Sequence, residues 1–297
     1  MRKNTTALPA LLVLAIAILL TTSAHAAQPP ADVLFEPDIV YANLPDQDLM
    51  LNLARPKDAT NPLPCIVVIH GGAWRGGHRN LHNNLTWKFA QRGYVSATVS
   101  YRFCPKFPFP AQVQDVKAAV RFLRANAQKY NIDPDRIGAV GFSAGAHLSM
   151  ILGVMDKADG LDDSGPNPDQ SSKVNAVVSF FGPTDFTAEF PPASVPLVRD
   201  FLGGTPQEKP EEHKKASPVT YVSPGDAPML LFQGTKDPLV PWQQAVSMLE
   251  ALTKAGVPGR VELLPGASHG WGQPELNRTL LATYAFFEEH LKKTPQK

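Results

Sequence analysis

The chain lacks several features that would assign it to large classes of protein. Its 297 residues carry a formal net charge of only +1, and neither a basic cluster nor an acidic tail stands out. Because nucleic-acid binding depends on clustered Lys and Arg side chains, the sequence gives no indication of a nucleic-acid partner. No internal repeat with a period of roughly 20 to 50 residues is visible, which argues against solenoids and propellers.

Long hydrophobic runs are also scarce. The run at residues 8–20 has 13 residues, whereas a membrane-spanning helix needs about 20. Arg2 and Lys3 precede it, and an A-x-A element follows at residues 24–26. This pattern is typical of a cleavable signal peptide, residues 1–26. We therefore expect a periplasmic or secreted protein with no stable membrane insertion after cleavage; an uncleaved anchor is the alternative.

Only two cysteines are present, Cys65 and Cys104. An exported protein can form disulfides, so a bridge between them has to be considered. If the predicted strands 66–69 and 94–100 are parallel neighbours, however, the two cysteines lie at opposite ends of the pair. Several residues at about 3.3 Å each exceed the reach of a disulfide. We therefore expect two free thiols.

Motifs for phosphate and metal binding are missing as well. The sequence contains neither a G-x-G-x-x-G fingerprint nor a G-K-[ST] loop. His78 and His82 are four residues apart, but the glutamate of an H-E-x-x-H zinc site does not accompany them. We expect no metal and no cofactor.

Short apolar runs alternate with segments of helical spacing after residue 64. The apolar runs predict strands at residues 66–69, 94–100, 137–141, 176–180, 229–233 and 260–264. Two earlier runs, 38–42 and 49–54, predict an antiparallel edge. This alternation predicts one α/β domain, residues 27–297, with a mostly parallel sheet of about eight strands and helices on both faces.

Residues 183–227 interrupt the alternation. They are rich in proline, have no strong periodicity and carry a charged run at 208–215. A loop of this length inside a compact domain is usually functional. We interpret it as a small cap insertion over the site, and a plain surface excursion is the alternative.

Residues 141–145 read G-F-S-A-G, directly after a predicted strand and before helix-forming residues. A serine on such a sharp turn projects its hydroxyl above the sheet, and the flanking glycines leave room for neighbouring chain. Ser143 is therefore the candidate nucleophile. An ordinary strand-to-helix turn is the alternative, and the rest of the chain must supply a base, an acid and oxyanion donors.

A base and an acid follow later predicted strands. His269 comes right after the last strand, where a loop can return its imidazole over the sheet. Asp237 directly follows the strand 229–233, and Asp185, after the preceding strand, is the rival. Asp185 could instead cap a local turn. We favour Asp237, since the order serine, acid, histidine is one that serine hydrolases use.

Oxyanion donors are expected in the loop after the strand 66–69, where residues 70–74 read H-G-G-A-W. Glycines allow backbone N–H groups to turn towards a developing negative charge. We predict that Gly72 and Ala73, with Ala144, are the donors. A simple Gly-Gly turn is the alternative.

Together these segments resemble the α/β-hydrolase esterases, over nearly all of the chain after residue 26. The resemblance narrows to the hormone-sensitive-lipase-like carboxylesterases and the bifunctional feruloyl and acetyl-xylan esterases. Its motifs are HGGAW at 70–74, SYR at 100–102, FPFP at 107–110 with Asp115, GFSAGAH at 141–147, DPLVP at 237–241 and SHG at 268–270. The lipase-like branch has a third glycine where Ala73 stands, and Trp74 fits the carbohydrate-esterase branch better.

The resemblance implies a serine esterase that works through an acyl-enzyme without a cofactor, and the predicted signal peptide makes it an exported one. Short-chain or aryl esters, including acetyl or feruloyl groups on plant polysaccharide, are the implied substrates, so the partner is a small ester or an acylated carbohydrate. Trp74 and Phe142, beside the proposed chemistry, are candidate substrate-binding residues. A serine peptidase of the same fold is one alternative, but the chain lacks a propeller-like domain to sieve peptides. A non-catalytic binding protein is another, but the chain keeps all three triad residues.

Overall fold

The computed structural model describes residues 28–161 and 165–292. The predicted signal peptide lies outside the described residues. No helix within these two ranges is both long enough and apolar enough to cross a membrane.

Within these described residues, one sheet of eight strands forms the centre of the fold, in the order β1-β2-β4-β3-β5-β6-β7-β8. The strands are β1 (Val33–Asn43), β2 (Asp48–Pro56), β3 (Leu63–Ile69), β4 (Val95–Val99), β5 (Ile132–Phe142), β6 (Ala176–Phe180), β7 (Met229–Gly234) and β8 (Gly259–Leu264). β1 and β2 are antiparallel to their neighbours, and the six strands β3 to β8 are parallel to one another. The predicted α/β sheet is confirmed, although β1 and β5 each begin five residues earlier than expected.

Helices cover both faces of this sheet, as predicted. They are α1 (Asn83–Ala90), α2 (Ala111–Ala125), α3 (Ala127–Tyr130), α4 (Ala144–Val154), α5 (Val195–Leu202), α6 (Pro210–Ala216), α7 (Gln243–Lys254) and α8 (Glu275–Phe287). α2, α4 and α7 contribute to the larger apolar core, and α1 and α8 contribute to a second core on the other face. Since the central strands are buried on both faces, they read as continuous apolar runs.

Residues 183–227, which the sequence predicts to be a cap insertion and which we call the insertion, contain α5, α6 and a 3₁₀ helix, Pro218–Tyr221. Both α-helices carry a proline in their first turn, where its missing N–H costs nothing. α5 is held in place because Val198, Phe201 and Leu202 pack into the larger core.

Both cysteines are buried and free, which confirms the expectation of two thiols. Cys65 pairs in parallel register with Val95, at the start of β4, whereas Cys104 follows the opposite end of that strand. The two cysteines are therefore separated by the length of β4.

Candidate active site

Ser143 occupies a strained turn between β5 and α4. Its backbone torsion angles are φ 53° and ψ −118°, a region that residues with a side chain rarely adopt. The flanking glycines permit this turn: a Cβ atom on Gly141 would lie 2.1 Å from the carbonyl oxygen of Gly145. A Cβ atom on Gly145 would lie 2.2 Å from the carbonyl oxygen of Ile69. Neither position can therefore hold a larger residue, because the turn is too tight at Gly141 and packs too closely against the end of β3 at Gly145.

Ser143, His269 and Asp237 form one hydrogen-bonded chain. The Nε2 atom of His269 lies 2.9 Å from Oγ of Ser143, and its Nδ1 atom lies 2.7 Å from Oδ2 of Asp237. These side chains come from the ends of β5, β7 and β8, which meet at the same edge of the sheet. With a proton on Nδ1 shared with the carboxylate, Nε2 is left to accept the proton of the serine hydroxyl.

Asp237 is held as an anion by its surroundings. Its Oδ1 atom accepts the backbone N–H groups of Leu239 at 2.8 Å and Val240 at 3.0 Å, and Gln233 donates to Oδ2 at 2.9 Å. Burial alone would raise the pKa of this carboxyl group, but hydrogen bonds from His269 and the two backbone N–H groups lower the pKa below its usual value. The carboxylate can therefore orient the imidazole and stabilise its protonated form.

The rival carboxylate, Asp185, belongs to a local turn. Its Oδ1 atom accepts the backbone N–H of Thr187 at 2.8 Å and the hydroxyl of the same residue at 2.6 Å. Asp185 thus caps a local turn, which is the alternative role that the sequence suggested for it.

The loop after β3 has an unusual backbone. Gly72, Ala73 and Trp74 have φ angles of 118°, 52° and 56°. Within the described part of the chain, the N–H groups of Gly72, Ala73 and Ala144 donate to no protein acceptor. Gly72 and Ala73 line the same cavity as Ser143. These N–H groups are therefore available for a negatively charged oxygen beside the serine.

His70 and Tyr101 support the base of this loop. Their rings stack with centroids 4.4 Å apart, and the Tyr101 hydroxyl donates to the backbone carbonyl of His70 at 3.0 Å. Burial lowers the pKa of His70 to about 4, so its ring is neutral at neutral pH.

His147 connects the loop to the insertion, a role that the sequence did not indicate. Its Nδ1 atom accepts the indole N–H of Trp74 at 3.2 Å, and its Nε2 atom lies 2.8 Å from the carbonyl oxygen of Ala216. The neutral tautomer with a proton on Nε2 satisfies both contacts, and burial lowers the pKa of His147 to about 4. A tertiary contact of this kind joins residues distant in sequence, so only the fold reveals it.

A cavity of about 400 Å³ opens beside Ser143. Apart from Ser143, Ser194 and His269, its side chains are apolar, and they include the predicted substrate-binding residues Trp74 and Phe142. The insertion supplies one wall, namely Pro183, Phe190, Ser194, Leu197 and Val198. The site is therefore suited to a small apolar group.

The two histidines weighed as metal ligands have other contacts. His78 accepts the backbone N–H of Asn80 at 3.1 Å, and the ring of His82 stacks on Phe142 with centroids 4.4 Å apart. Among the residues that the structure describes, no three His, Cys, Asp or Glu side chains are grouped as metal ligands would be.

Comparison with known proteins gives this arrangement a context. The BD-FAE family model matches residues 51–252, which is more than half of the chain. The chain belongs to the BD-FAE family. One curated relative of this BD-FAE chain is esterase LipC of Mycobacterium tuberculosis, 33% identical over 243 residues, covering 78% of this chain and 59% of LipC. The alignment thus spans little more than half of that relative.

Solved structures resemble the BD-FAE chain over a larger share of its length. A truncated carbohydrate esterase from gut microbiota superposes with a TM-score of 0.79 at 29% identity, covering 89% of this chain and 99% of that one. A butyrate-bound thermophilic esterase, Est2, from Thermogutta terrifontis superposes with a TM-score of 0.75 at 27% identity, covering 90% of this chain and 97% of that one. Both likenesses support an α/β-hydrolase fold.

Proposed function

We propose that this protein is a serine carboxylic ester hydrolase with Ser143, His269 and Asp237 as its catalytic triad. The observation that carries the proposal is the hydrogen-bonded chain from Oγ of Ser143 through the imidazole to a buried carboxylate. Free backbone N–H groups lie beside the same serine. Support also comes from relatives that are named as esterases.

The first half of the reaction forms an acyl-enzyme. Nε2 of His269 takes the proton of Ser143 as Oγ attacks the ester carbonyl carbon. The carbonyl oxygen becomes negatively charged and accepts hydrogen bonds from the N–H groups of Gly72, Ala73 and Ala144, the proposed oxyanion hole. When the bond to the alcohol oxygen breaks, His269 gives its proton to that oxygen and the alcohol leaves.

The second half regenerates the enzyme by the same steps. His269 removes a proton from water, whose oxygen attacks the acyl carbon, and a second oxyanion forms in the same hole. Collapse of this intermediate releases the carboxylic acid, and His269 returns the proton to Ser143. The side chains present account for every proton transfer.

The cavity favours short-chain or aryl esters. Its volume of about 400 Å³ is near the lower end of the roughly 300–1,000 Å³ typical of ligand sites. The apolar lining, with Trp74 and Phe142, suits an acyl or aryl group. Acetyl or feruloyl groups on plant polysaccharide are the substrates that the resemblance of the sequence implies, and a carbohydrate esterase is among the similar solved structures.

We further propose that the enzyme acts outside the cytoplasm. The support is the sequence pattern of residues 1–26, in which a basic start precedes a short apolar run and an A-x-A element. A plant polymer or its fragments would be accessible to an enzyme exported to the periplasm or the medium.

Hydrolysis of p-nitrophenyl acetate by the purified chain tests the proposal. We expect Ser143→Ala and His269→Ala each to lower kcat by about a thousandfold or more, with unchanged circular dichroism. Methyl ferulate, acetylated xylan and a peptide p-nitroanilide, assayed in parallel, define the substrate class. Unchanged ester hydrolysis in the two variants would overturn the mechanism, and faster release from the peptide would favour a peptidase.

A further inference from the structure

A second cavity adjoins the one that contains Ser143. It has a volume of about 320 Å³ and lies within the insertion, between α5, the segment that precedes it, and residues 204–207 and His213 that follow it. The two cavities share two lining residues, Phe190 and Val198. We refer to them as the nucleophile cavity and the insertion cavity.

Helix α5 shows how the two cavities are separated. Leu197 lines the nucleophile cavity, whereas Val195 and Arg199 line the insertion cavity. Val195 and Arg199, four residues apart, lie on one face of α5, and Leu197 lies on another face. Val198 lies between these two faces and lines both cavities. Val198 is only 6% exposed, so the helix itself forms the fixed part of the partition.

The ring of Phe190 forms the other part of the partition. It stacks on Phe186, with ring centroids 5.6 Å apart and an angle of 19° between the planes. Phe186 is fully buried and packs against Trp74 with centroids 5.7 Å apart. Unlike the helix, Phe190 is only half-buried and comes from an irregular segment, so its ring can be removed without disturbing regular structure.

The nucleophile cavity must hold both halves of the ester. The imidazole of His269 packs on Phe181, with ring centroids 4.7 Å apart. The leaving alcohol must lie beside this imidazole, because it takes its proton from His269. Trp74, Phe190 and Val198 line the same cavity, and Phe186 packs against both Trp74 and Phe190.

We propose that the acyl group lies on the side of the nucleophile cavity lined by Phe190, and that Phe190 limits its length because its ring closes this cavity against the insertion cavity. This inference rests on the esterase function proposed above. With Phe190 reduced to alanine, the two cavities would join and offer nearly twice the volume, with polar side chains such as Glu189 and Arg199 around the added part. A longer acyl chain could then extend past Val198 towards Val195.

The experiment compares p-nitrophenyl butyrate with p-nitrophenyl octanoate. Each methylene group buried from water is worth roughly a factor of four in binding, so burial of two of the four additional methylenes is worth about tenfold or more. We expect Phe190→Ala to raise the octanoate-to-butyrate ratio of kcat/KM by at least that factor. Phe190→Leu should raise it less, and provides a second variant if the alanine variant folds poorly.

Val195 provides the matched control, since it lines only the insertion cavity and is 48% exposed. Val195→Phe alone should leave the ratio within about threefold of the parent value. In the Phe190→Ala background it should fill the joined space and bring the ratio back towards that value. Labelling with an organophosphate measures the fraction of active sites in each preparation.

Three results would overturn the inference. The first is an octanoate-to-butyrate ratio that stays unchanged in both Phe190 variants. The second is an increased ratio in Phe190→Ala that persists when Val195→Phe is added. The third is an increase in kcat/KM for acetate esters of long alcohols instead of esters with long acyl chains. Ser143→Ala is assayed alongside: hydrolysis that survives this substitution overturns the proposed function itself. Hydrolysis that depends on Ser143 while the ratio stays unchanged overturns only the role of Phe190.

Discussion

The indole N–H of Trp74 points at Nδ1 of His147, 3.2 Å away, and the other nitrogen of the same imidazole lies 2.8 Å from the carbonyl oxygen of Ala216. One buried side chain thus joins three parts of the site: the loop after β3, the helix that follows Ser143 and the insertion. Trp74 is stacked on Phe201 of α5 at 4.2 Å, so a second contact joins the loop to the insertion.

His147→Phe should therefore destabilise the protein. Phenylalanine fills the ring's space but leaves the Trp74 indole and the Ala216 carbonyl without partners, at roughly 1–3 kcal/mol for each buried group. We expect the free energy of unfolding in urea to fall by about 2–6 kcal/mol. His82→Phe is the control, because a phenylalanine can stack on Phe142 as the imidazole does. Equal stability of the two variants would contradict the proposed linkage.

Stability should fall as the pH is lowered from about 6.5 to 4. Burial lowers the pKa values of His70, His82 and His147 to about 4 in the folded protein. In the unfolded chain each takes up a proton near pH 6.5, so acid favours unfolding over this interval by up to several kcal/mol. Urea unfolding at a series of pH values measures the effect. The slope should be shallower in His147→Phe, and a flat profile in the parent protein would refute the prediction.

Asp237→Asn should lower kcat on p-nitrophenyl acetate by about 10³ to 10⁴, because an amide favours the wrong imidazole tautomer. The binding of the ester should change much less. Asp185→Asn is the matched control, since the amide oxygen can still accept the N–H of Thr187. If the two substitutions had equal effects, the assignment of Asp237 as the acid would be wrong.

Gly145→Ala should prevent the turn at Ser143 from forming. The added Cβ would lie 2.2 Å from the carbonyl oxygen of Ile69, a backbone atom that cannot move without shifting β3. We expect a loss of several kcal/mol in stability together with loss of activity, measured by thermal unfolding and ester hydrolysis. Gly272→Ala, where no atom lies within 4 Å of the added Cβ, should change neither.

The sequence predicted the parts of the fold that leave a periodic pattern. Parallel strands buried on both faces appear as apolar runs, and the motif around Ser143 has a spacing that packing imposes. α5 and α6 were not predicted, because short helices of eight and seven residues leave little periodicity to detect. Their burial is decided by tertiary contacts such as that between Phe201 and Trp74.

The candidate site also contains some residues that the sequence predicted and others that only the fold reveals. Ser143, Asp237 and His269 could be proposed from their positions after successive strands, and the structure brings their side chains within hydrogen-bonding distance. The partition formed by Phe190 could not be anticipated, since it depends on how the insertion folds back onto the sheet. The same holds for His147, whose partners are 73 and 69 residues away in sequence.

The two free thiols give the molecule a pair of built-in conformational reporters. Cys65 lies in the centre of the sheet, where burial raises its pKa to about 12 and masks it from alkylating reagents. Cys104 donates its backbone N–H to the carbonyl oxygen of Trp74, and burial raises the pKa of its thiol to about 11. Alkylation of Cys104 therefore registers local opening of the loop beside the nucleophile, whereas alkylation of Cys65 registers separation of the strands themselves.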